Sequence, residues 1–292
     1  MGGRLPGQDE VEFSMAQITN LAEMAPSPIL EVDGVGITFG SLAALRDVSL
    51  SVNRGTVHAI IGPNGAGKTT LLNCLSGLYV AGEGSAVLST KMGRNDLIGI
   101  KPQKVARIGM ARTFQNIQLF GHLSVVDNLM LGRHVHLRPN LFGAVFRSPG
   151  WRKDDSENRE RVEEIVDLLG LDAIRDTAAG SLAYGMQKQV ELGRALCIEP
   201  ELLLLDEPMA GTTASEREAM IETILSVKDS GVTISMIEHD MRAVMSMSDS
   251  VTVLSFGQVI ADGTPEEVSA DSAVIEAYLG AEDVPHREES KA

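Results

Sequence analysis

A glycine-rich segment has the residue types and the spacing that bind phosphate groups. Residues 62–69 satisfy the pattern G-x-x-x-x-G-K-[ST]. The glycines let backbone N–H groups surround a phosphate, and the helix that follows adds the positive end of its dipole. Lys68 supplies a mobile charge for the β- and γ-phosphates, and Thr69 supplies a hydroxyl for Mg²⁺. The segment predicts a nucleoside triphosphate site made of Gly62, Pro63, Asn64, Gly65, Ala66, Gly67, Lys68, Thr69 and Thr70.

Two acidic residues follow a run of four leucines, residues 202–205. Ligands of open parallel sheets bind at the carboxyl ends of the strands, so this run delivers Asp206 and Glu207 to such an end. Asp206 suits a direct or indirect partner of Mg²⁺, and Glu207 suits a base that polarises the water attacking the γ-phosphate. The alternative is a solvated acidic turn before Pro208.

Apolar runs that alternate with helical patterns must position these groups. Strands are predicted at 37–39, 48–52, 57–61, 202–205, 233–237 and 251–255. Helices are predicted over 68–75, from Ser124 onward, and along an apolar face within 162–169. Buried strands in alternation with helices predict an α/β fold with a parallel sheet. The helix-rich stretch of about 117–184 is predicted to be an inserted helical subdomain.

Composition places the chain among globular proteins. It has 292 residues, of which 43 % are hydrophobic and 22 % charged, so wholesale disorder is excluded. The net charge of −15 argues against sequence-independent binding of nucleic acid, which requires surplus Lys and Arg. Residues 1–27 and 282–292 are polar and are predicted to be flexible extensions of a domain over 28–281.

Cysteine use and hydropathy point to the cytoplasm. Cys74 and Cys197 are far apart and form no CxxC pair, so neither zinc nor a disulfide framework is indicated, and both are expected in the core. No stretch approaches the roughly 20 apolar residues that span a bilayer. If the protein works at a membrane, another protein must anchor it.

Three further segments identify a family. Residues 181–187 resemble the signature sequence of ATP-binding-cassette (ABC) ATPases, residues 111–115 resemble their Q-loop, and residues 237–240 resemble their switch-histidine segment. With the two phosphate-site motifs, the likeness covers about residues 29–281. Within the family the chain is most similar to the ATPase of bacterial branched-chain amino acid importers, on residues 112–120, 182–185, 237–241, 263–266 and 277–280.

The resemblance implies a fold and a composite active site. The expected fold is a P-loop NTPase (RecA-like) parallel-sheet core with an N-terminal antiparallel β subdomain and an inserted helical subdomain. Cassettes of this family pair head to tail, and each ATP lies between one subunit's phosphate loop and the other's signature motif. Ala183, Tyr184 and Gly185 would therefore present backbone N–H groups to the partner's γ-phosphate.

The resemblance also assigns roles to three side chains. Gln115 would sense Mg²⁺ and the attacking water, His239 would hold the γ-phosphate and order Glu207, and Phe39 would stack on adenine. The alternatives are an ordinary surface or hydrogen-bonded residue for Gln115 and His239, and an ordinary core ring for Phe39. The expected catalytic residues are Glu207, His239, Gln115 and Lys68, and the expected metal residues are Thr69, Gln115 and Asp206.

The implied function is that of an ATPase subunit of a membrane importer for branched-chain or related hydrophobic amino acids. ATP and Mg²⁺ are the implied cofactors, and the implied location is the cytoplasmic face of the membrane. The implied partners are transmembrane permease subunits docking beside Gln115, a second ABC subunit and, indirectly, an extracytoplasmic solute-binding protein. Alternatives are another solute (urea, amides or lipid), an ABC ATPase of a soluble process, and a weakly hydrolysing regulatory subunit. Ala183, Met186, Thr212 and Thr213 depart from the commoner motifs.

Overall fold

The structure is a computed structural model that describes residues 27–136 and 149–282. The predicted flexible extensions over 1–27 and 282–292 lie almost entirely outside these ranges. Two sheets and nine helices, numbered below in chain order, make up the described part of the chain.

The first sheet is antiparallel and has the strand order β2-β1-β4-β5. Its strands are β1 (Pro28–Phe39), β2 (Leu42–Asn53), β4 (Glu83–Thr90) and β5 (Gly93–Asp96). The predicted strands at 37–39 and 48–52 are parts of β1 and β2, which are much longer. The alternation of β1 is interrupted around Gly34 and Gly36, where its register with β2 shifts, so its first half carries a weak strand pattern.

The second sheet has six strands in the order β10-β9-β3-β8-β7-β6, parallel except for the antiparallel edge pair β9–β10. Its strands are β3 (Val57–Ile61), β6 (Met110–Arg112), β7 (Leu202–Asp206), β8 (Thr233–Ile237), β9 (Ser250–Ser255) and β10 (Gln258–Gly263). Every residue of β3, β7 and β8 is buried. The predicted parallel α/β core is confirmed.

The helices include the three that the sequence predicts. They are α1 (Lys68–Leu75), α2 (Pro102–Arg107), α3 (Val125–Gly132), α4 (Pro149–Leu168), α5 (Tyr184–Leu196), α6 (Ala214–Asp229), α7 (Met241–Met247), α8 (Pro265–Ala270) and α9 (Ser272–Glu282). Ser124 caps α3, because its hydroxyl accepts the Asp127 amide at 3.1 Å. The boundaries of a separate helical subdomain at about 117–184 stay a prediction.

The core lies on both faces of the six-stranded sheet. On β7, Leu203 and Leu205 pack toward the cluster that includes helices α3 to α7, whereas Leu202 and Leu204 pack toward α1 and the antiparallel sheet. Strand side chains alternate between faces, so an unbroken apolar run is buried on both. Cys74 and Cys197 are buried free thiols, as expected, and burial raises the pKa of Cys74 to about 11 and that of Cys197 to about 12.

The parallel strands bring the sequence motifs to one edge of the sheet. β3 ends at Ile61 before the phosphate loop, β7 ends at Asp206 before Glu207, and β8 ends at Ile237 before Glu238. This is the edge at which parallel sheets bind ligands. Within the described ranges, no helix has both the length and the apolar character needed to cross a membrane.

Candidate functional site

A cavity of about 390 Å³ lies over the start of α1. Residues 64–70 of the phosphate loop form its floor, and Glu207 and His239 lie on its wall. Phe39, Leu42 and Phe256 add apolar surface. The cavity thus combines backbone amides, one lysine, one carboxylate and one imidazole.

Two glycines of the phosphate loop occupy places that no other residue fits. Gly62 has φ 145°, and a Cβ there would overlap the Leu254 carbonyl. Gly67 has φ 102°, and a Cβ would lie 2.7 Å from the Ala44 carbonyl oxygen. Gly67 is also the N-cap of α1 and offers no side-chain cap. The first amides of α1 therefore remain available to an anion.

Lys68 is held inside the loop that it would serve. Its Nζ donates to the carbonyl oxygens of Gly62 at 2.6 Å and Pro63 at 3.0 Å, and the residue is 6 % exposed. Burial lowers the pKa of the Lys68 ammonium, and the charges of Glu207 and Asp206 oppose that shift. The two acidic residues therefore act electrostatically on this lysine, as the predicted site requires.

Glu207 is the centre of a three-residue cluster. Gln115 Nε2 donates to its Oε2 at 3.0 Å, and His239 Nε2 lies 2.8 Å from its Oε1. Lys188 Nζ donates to the Glu207 carbonyl at 2.8 Å. Glu207 has φ 52°, a left-handed conformation that a non-glycine residue adopts at a cost of roughly 1–3 kcal/mol. The structure therefore brings together three predicted catalytic residues, and none of them is an unattached surface residue.

Asp206 is buried and pairs with an arginine that the sequence analysis gave no role. Arg112 Nη2 donates to its Oδ2 at 2.8 Å, and both side chains are at least 94 % buried. Its other oxygen, Oδ1, is buried without a hydrogen-bond partner. This oxygen and the Thr69 hydroxyl are hard oxygen donors of the kind that Mg²⁺ takes from a protein. Thr69 lines the cavity, whereas Asp206 and Gln115 are not among the residues that line it. Within the described ranges, no group of three or more histidine, cysteine, aspartate or glutamate side chains is placed to hold a metal ion.

Phe39 lies at the mouth of the cavity and does not belong to the core. It is 45 % exposed, and its ring contacts Tyr79 edge to face at a centroid distance of 5.3 Å. The alternative of a core ring is therefore wrong. Stacking on adenine stays a prediction that this exposure permits.

The signature residues lie outside the cavity. Among the described residues that line it, none belongs to 183–185. Ala183 is the N-cap of α5 without a side-chain cap, and Tyr184 is 44 % exposed. The Gly185 amide donates to Glu216 Oε1 at 3.3 Å. These residues therefore lie outside the cavity over the chain's own phosphate loop, and their role in binding an anion stays a prediction.

The positions that depart from the commoner motifs have local structural roles. Met186 packs against the core. Thr212 donates its hydroxyl to the Met209 carbonyl at 2.7 Å. Thr213 and Glu216 form a capping box at the start of α6, in which each side chain binds the other residue's amide. Threonine therefore replaces the family's usual asparagine or aspartate with another residue that caps a helix well.

Sequence reasoning missed Arg112, Lys188, Glu216 and Glu238 as residues that support the site. Glu238 accepts the amides of Met209 at 2.8 Å and His239 at 2.9 Å and so fixes the two turns after β7 and β8. One signal was available, because Arg112 is a charged residue at the end of a short apolar strand. The others depend on tertiary contacts that no local pattern predicts.

Comparisons with known proteins agree with this geometry. Residues 45–210, more than half of the chain, match the family described as ABC transporter. Residues 258–284 match the family described as branched-chain amino acid ATP-binding cassette transporter. Together the two matches cover the phosphate loop, the acidic strand end and the last helices.

The chain aligns with nearly the whole length of curated relatives and of solved structures. The chain is 39 % identical over 254 residues to the high-affinity branched-chain amino acid transport ATP-binding protein BraF of Pseudomonas aeruginosa, covering 87 % of this chain and 98 % of that protein. It is 38 % identical over 254 residues to LivG of Escherichia coli K12, with the same two coverages. A crystal structure of the ADP conformation of an ATP-binding cassette of an ABC transporter has a TM-score of 0.75 at 33 % identity, covering 87 % of this chain and 99 % of that one. The chain belongs to the ABC transporter family and is one of its nucleotide-binding ATPase cassettes.

Proposed function

We propose that this chain is the Mg²⁺-dependent ATPase of an importer for branched-chain or related hydrophobic amino acids. The observation that supports hydrolysis most directly is the Glu207 carboxylate held between Gln115 and His239 on the wall of the cavity. A carboxylate oriented by two neighbours, next to amides that bind phosphate, can position and polarise a water.

The chain's own residues divide the work of the reaction. The amides of residues 64–69 and the ammonium of Lys68 bind and orient the triphosphate, which supplies most of the catalysis in phosphoryl transfer. Glu207 accepts a proton from the attacking water, and His239 orients Glu207. When bound, Mg²⁺ would neutralise phosphate charge, held by Thr69 and Asp206 with Gln115 beside it. Phe39 would stack on the base.

Replacing Glu207 with glutamine tests this assignment. Glu207→Gln keeps the shape of the side chain and one acceptor oxygen but removes the base, so we expect the variant to bind ATP with Mg²⁺, to hydrolyse it at least about 100-fold more slowly, and to accumulate a closed pair of subunits. Glu222→Gln, on the exposed face of α6, is the matched control and should behave as the unaltered chain. Equal turnover in the unaltered protein and in Glu207→Gln would overturn the assignment of the base.

The second subunit is part of the proposal because the signature residues 183–185 are not among the described residues that line the cavity over the phosphate loop. The signature residues 183–185 would face the partner's γ-phosphate, and the pair can be two copies or two related chains. ATP binds the closed pair better than the open one, so binding closes it and hydrolysis with phosphate release reopens it.

The transport role rests on the relatives, which are named as branched-chain amino acid transport ATP-binding proteins. We place the subunit at the cytoplasmic face of the membrane, with permease subunits docked beside Gln115 and an extracytoplasmic solute-binding protein acting through them. Purification of the chain with its membrane partners, followed by ATPase assays with leucine, urea or lipid, identifies the solute class. Stimulation by urea alone or by lipid alone would reject the amino acid assignment.

A weakly hydrolysing regulatory subunit is the less favoured reading. It would rest on Met186, Thr212 and Thr213, but these residues are explained by core packing and helix capping. The cluster of Glu207 with Gln115 and His239 would have no use in a subunit that does not hydrolyse ATP.

A further inference from the structure

Arg112 is a buried arginine that the proposed reaction does not yet use. It is the last residue of β6, three positions before Gln115. Its side chain is 6 % exposed, although arginine is almost never buried unless it is paired. What it binds therefore explains why it is there.

Three polar partners surround its guanidinium. Nη2 donates to Asp206 Oδ2 at 2.8 Å. Nη1 donates to Asn73 Oδ1 and to Ser76 Oγ, both at 2.8 Å. Asn73 and Ser76 belong to the end of α1, the helix that begins with the phosphate loop. A planar guanidinium holds such partners in a fixed fork that an ammonium does not reproduce.

Arg112 also connects this pair to the segment that carries Gln115. Its guanidinium lies 5.3 Å from the centre of the Phe114 ring, within the range of a cation–π contact. The neighbouring Thr113 is fixed to β7, because its amide donates to the Leu204 carbonyl at 3.0 Å. One side chain thus touches the phosphate-loop helix, the acidic strand end and the Gln115 segment.

The arrangement leaves one oxygen of Asp206 unused. Oδ2 is taken by Arg112, whereas Oδ1 is buried and has no hydrogen-bond partner. Among the described residues, five buried side-chain atoms have no hydrogen-bond partner, and Arg112 Nε is one of them. Asp206 Oδ1 is the carboxylate oxygen among the five, and a buried carboxylate oxygen is costly unless a ligand completes its coordination. Because Arg112 holds one oxygen, it also determines how the carboxylate is rotated and which oxygen stays free.

We propose that Arg112 is a positioning residue for the metal-dependent step. It fixes Asp206 through Oδ2, keeps Oδ1 free for Mg²⁺ or a water bound to Mg²⁺, and compensates the Asp206 charge while no nucleotide is present. This inference rests on the proposed function, in which Asp206 serves the metal. It assigns to Arg112 an effect on metal use that differs from an effect on folding or on phosphate binding.

The test compares metal-free and metal-dependent binding of a non-hydrolysable ATP analogue. The variant is Arg112→Lys, which keeps the charge but not the fork, and the control is Arg107→Lys at the exposed end of α2. Mn²⁺ replaces Mg²⁺ and is detected by electron paramagnetic resonance. In Arg112→Lys we expect analogue binding in EDTA within about twofold of the unaltered protein, and an Mn²⁺ concentration for half-saturation about tenfold higher, which corresponds to about 1.4 kcal/mol.

Two outcomes overturn the proposal. One is an unchanged Mn²⁺ midpoint in folded Arg112→Lys, and the other is an equal loss of binding with and without metal, which a merely structural ion pair predicts. Should Arg112→Lys fail to fold, Ser76→Ala removes one of its partners and should raise the Mn²⁺ midpoint about threefold, so an unchanged midpoint there also overturns it.

The failure of the proposed function gives a different result. Asp206→Asn removes the charge of the residue that would serve the metal. If Asp206→Asn leaves the Mn²⁺ midpoint unchanged, Asp206 does not serve the metal, and the metal role in the proposed function fails whatever Arg112 does. If Asp206→Asn raises the midpoint but Arg112→Lys does not, only the inference about Arg112 fails.

Discussion

The N-termini of α1 and α5 both lack a side-chain cap, but they differ in the groups that surround them. The N-cap residues are Gly67 and Ala183, and neither has a side chain that caps its helix. Elsewhere Ser124, Thr213 and Thr264 cap α3, α6 and α8 with their own hydroxyls. An uncapped start leaves amides for an external anion. The short α2 also begins without a side-chain cap, at Lys101, but its first residue is Pro102, which has no amide hydrogen. The starts of α1 and α5 are the two uncapped ones that lie in predicted phosphate-binding motifs.

The surroundings of the two starts differ. At α1, the chain itself supplies Lys68 and the wall formed by Glu207 and His239. At α5, Tyr184 is exposed and the Gly185 amide is bound by a carboxylate of the same chain, Glu216. The first region therefore forms a cavity within one chain, whereas for the second region we propose a ligand brought by another chain. The predictions below act on one region at a time.

Removing the Lys68 ammonium should have the largest effect, because it takes away a positive charge among the phosphate-binding amides at the start of α1. Hydrogen bonds to charged groups contribute about 1.5–3 kcal/mol each. If Lys68 donates one to the β-phosphate and one to the γ-phosphate, Lys68→Ala should bind ATP at least about 100-fold more weakly. The measurement is equilibrium binding of a fluorescent ATP analogue to the single chain. Lys91→Ala, at an exposed lysine between β4 and β5, is the control, and undiminished affinity in Lys68→Ala would contradict the phosphate-loop role.

The strand that leads into the phosphate loop, β3, should make the free energy of unfolding depend on pH. His58 in β3 is fully buried between the hydroxyls of Ser250, at 2.8 Å, and Thr252, at 3.1 Å. Because the Thr252 hydroxyl donates to Asp262, it accepts the Nε2 proton of His58, and Nδ1 accepts from Ser250. The neutral imidazole thus satisfies both contacts.

Burial lowers the pKa of His58 to about 4, and the Asp262 charge opposes that shift. Its pKa in the unfolded chain is about 6.5, so protons bind the unfolded state more strongly and stability is lost as the pH falls from 6.5 toward 4. At pH 5 the expected loss from this group is about 2 kcal/mol. Urea unfolding at pH 7.5 and pH 5 measures it, and His58→Gln should have a smaller difference between the two. An equal difference in both proteins would reject the role of His58.

Much of this arrangement follows from the sequence. The bounds of β3, α1 and β8 match the predicted ones, because fully buried, mostly apolar runs of five residues and a phosphate loop leave little freedom. The convergence of Glu207, Gln115 and His239 also agrees with the resemblance to the family. Each of these features depends on a short local pattern or on strand ends that parallel topology brings together.

Other features could not be predicted from the sequence, for physical reasons. The inner strand β4, the edge strand β5 and the first half of β1 lack a continuous apolar alternation. The Arg112–Asp206 pair joins residues 94 positions apart, and the Glu216–Gly185 contact joins residues 31 positions apart. Such contacts arise from tertiary packing, which local propensity does not encode.

Replacing Gly185 should impair the role of the start of α5 in hydrolysis and leave ATP binding at the start of α1 unchanged. A Cβ at this position would meet the Glu216 carboxylate at 2.6–2.9 Å, and that side chain is flexible enough to move. In Gly185→Ala we therefore expect normal folding and ATP binding within about twofold, but hydrolysis at least about tenfold slower, because a donor to the partner's γ-phosphate is shielded. Steady-state phosphate release measures it, with Ser181→Ala as the control. Normal hydrolysis in Gly185→Ala would show that α5 does not serve the reaction.

Removing the charge of Glu216 should have the smallest effect, and it should favour the ATP-dependent association of two chains instead of impairing the site. Hydrogen bonds from the amide and hydroxyl of Thr213, and then from the Gly185 amide, lower the pKa of Glu216. We expect the charged carboxylate to compete for the Gly185 amide with a phosphate that a second chain brings. Glu216→Gln keeps an oxygen for these donors but loses the negative charge at this helix start.

We make this change in a Glu207→Gln background, where hydrolysis does not consume ATP. We expect Glu216→Gln to lower the ATP concentration at which two chains associate by about two- to fivefold. Analytical ultracentrifugation over an ATP series measures that midpoint. The control is Glu218→Gln, an exposed carboxylate two residues further along α6. If both variants shift the midpoint equally, general repulsion between these acidic chains explains the result. If neither shifts it, the Glu216 carboxylate does not compete at α5, and the two helix starts differ only in what surrounds them.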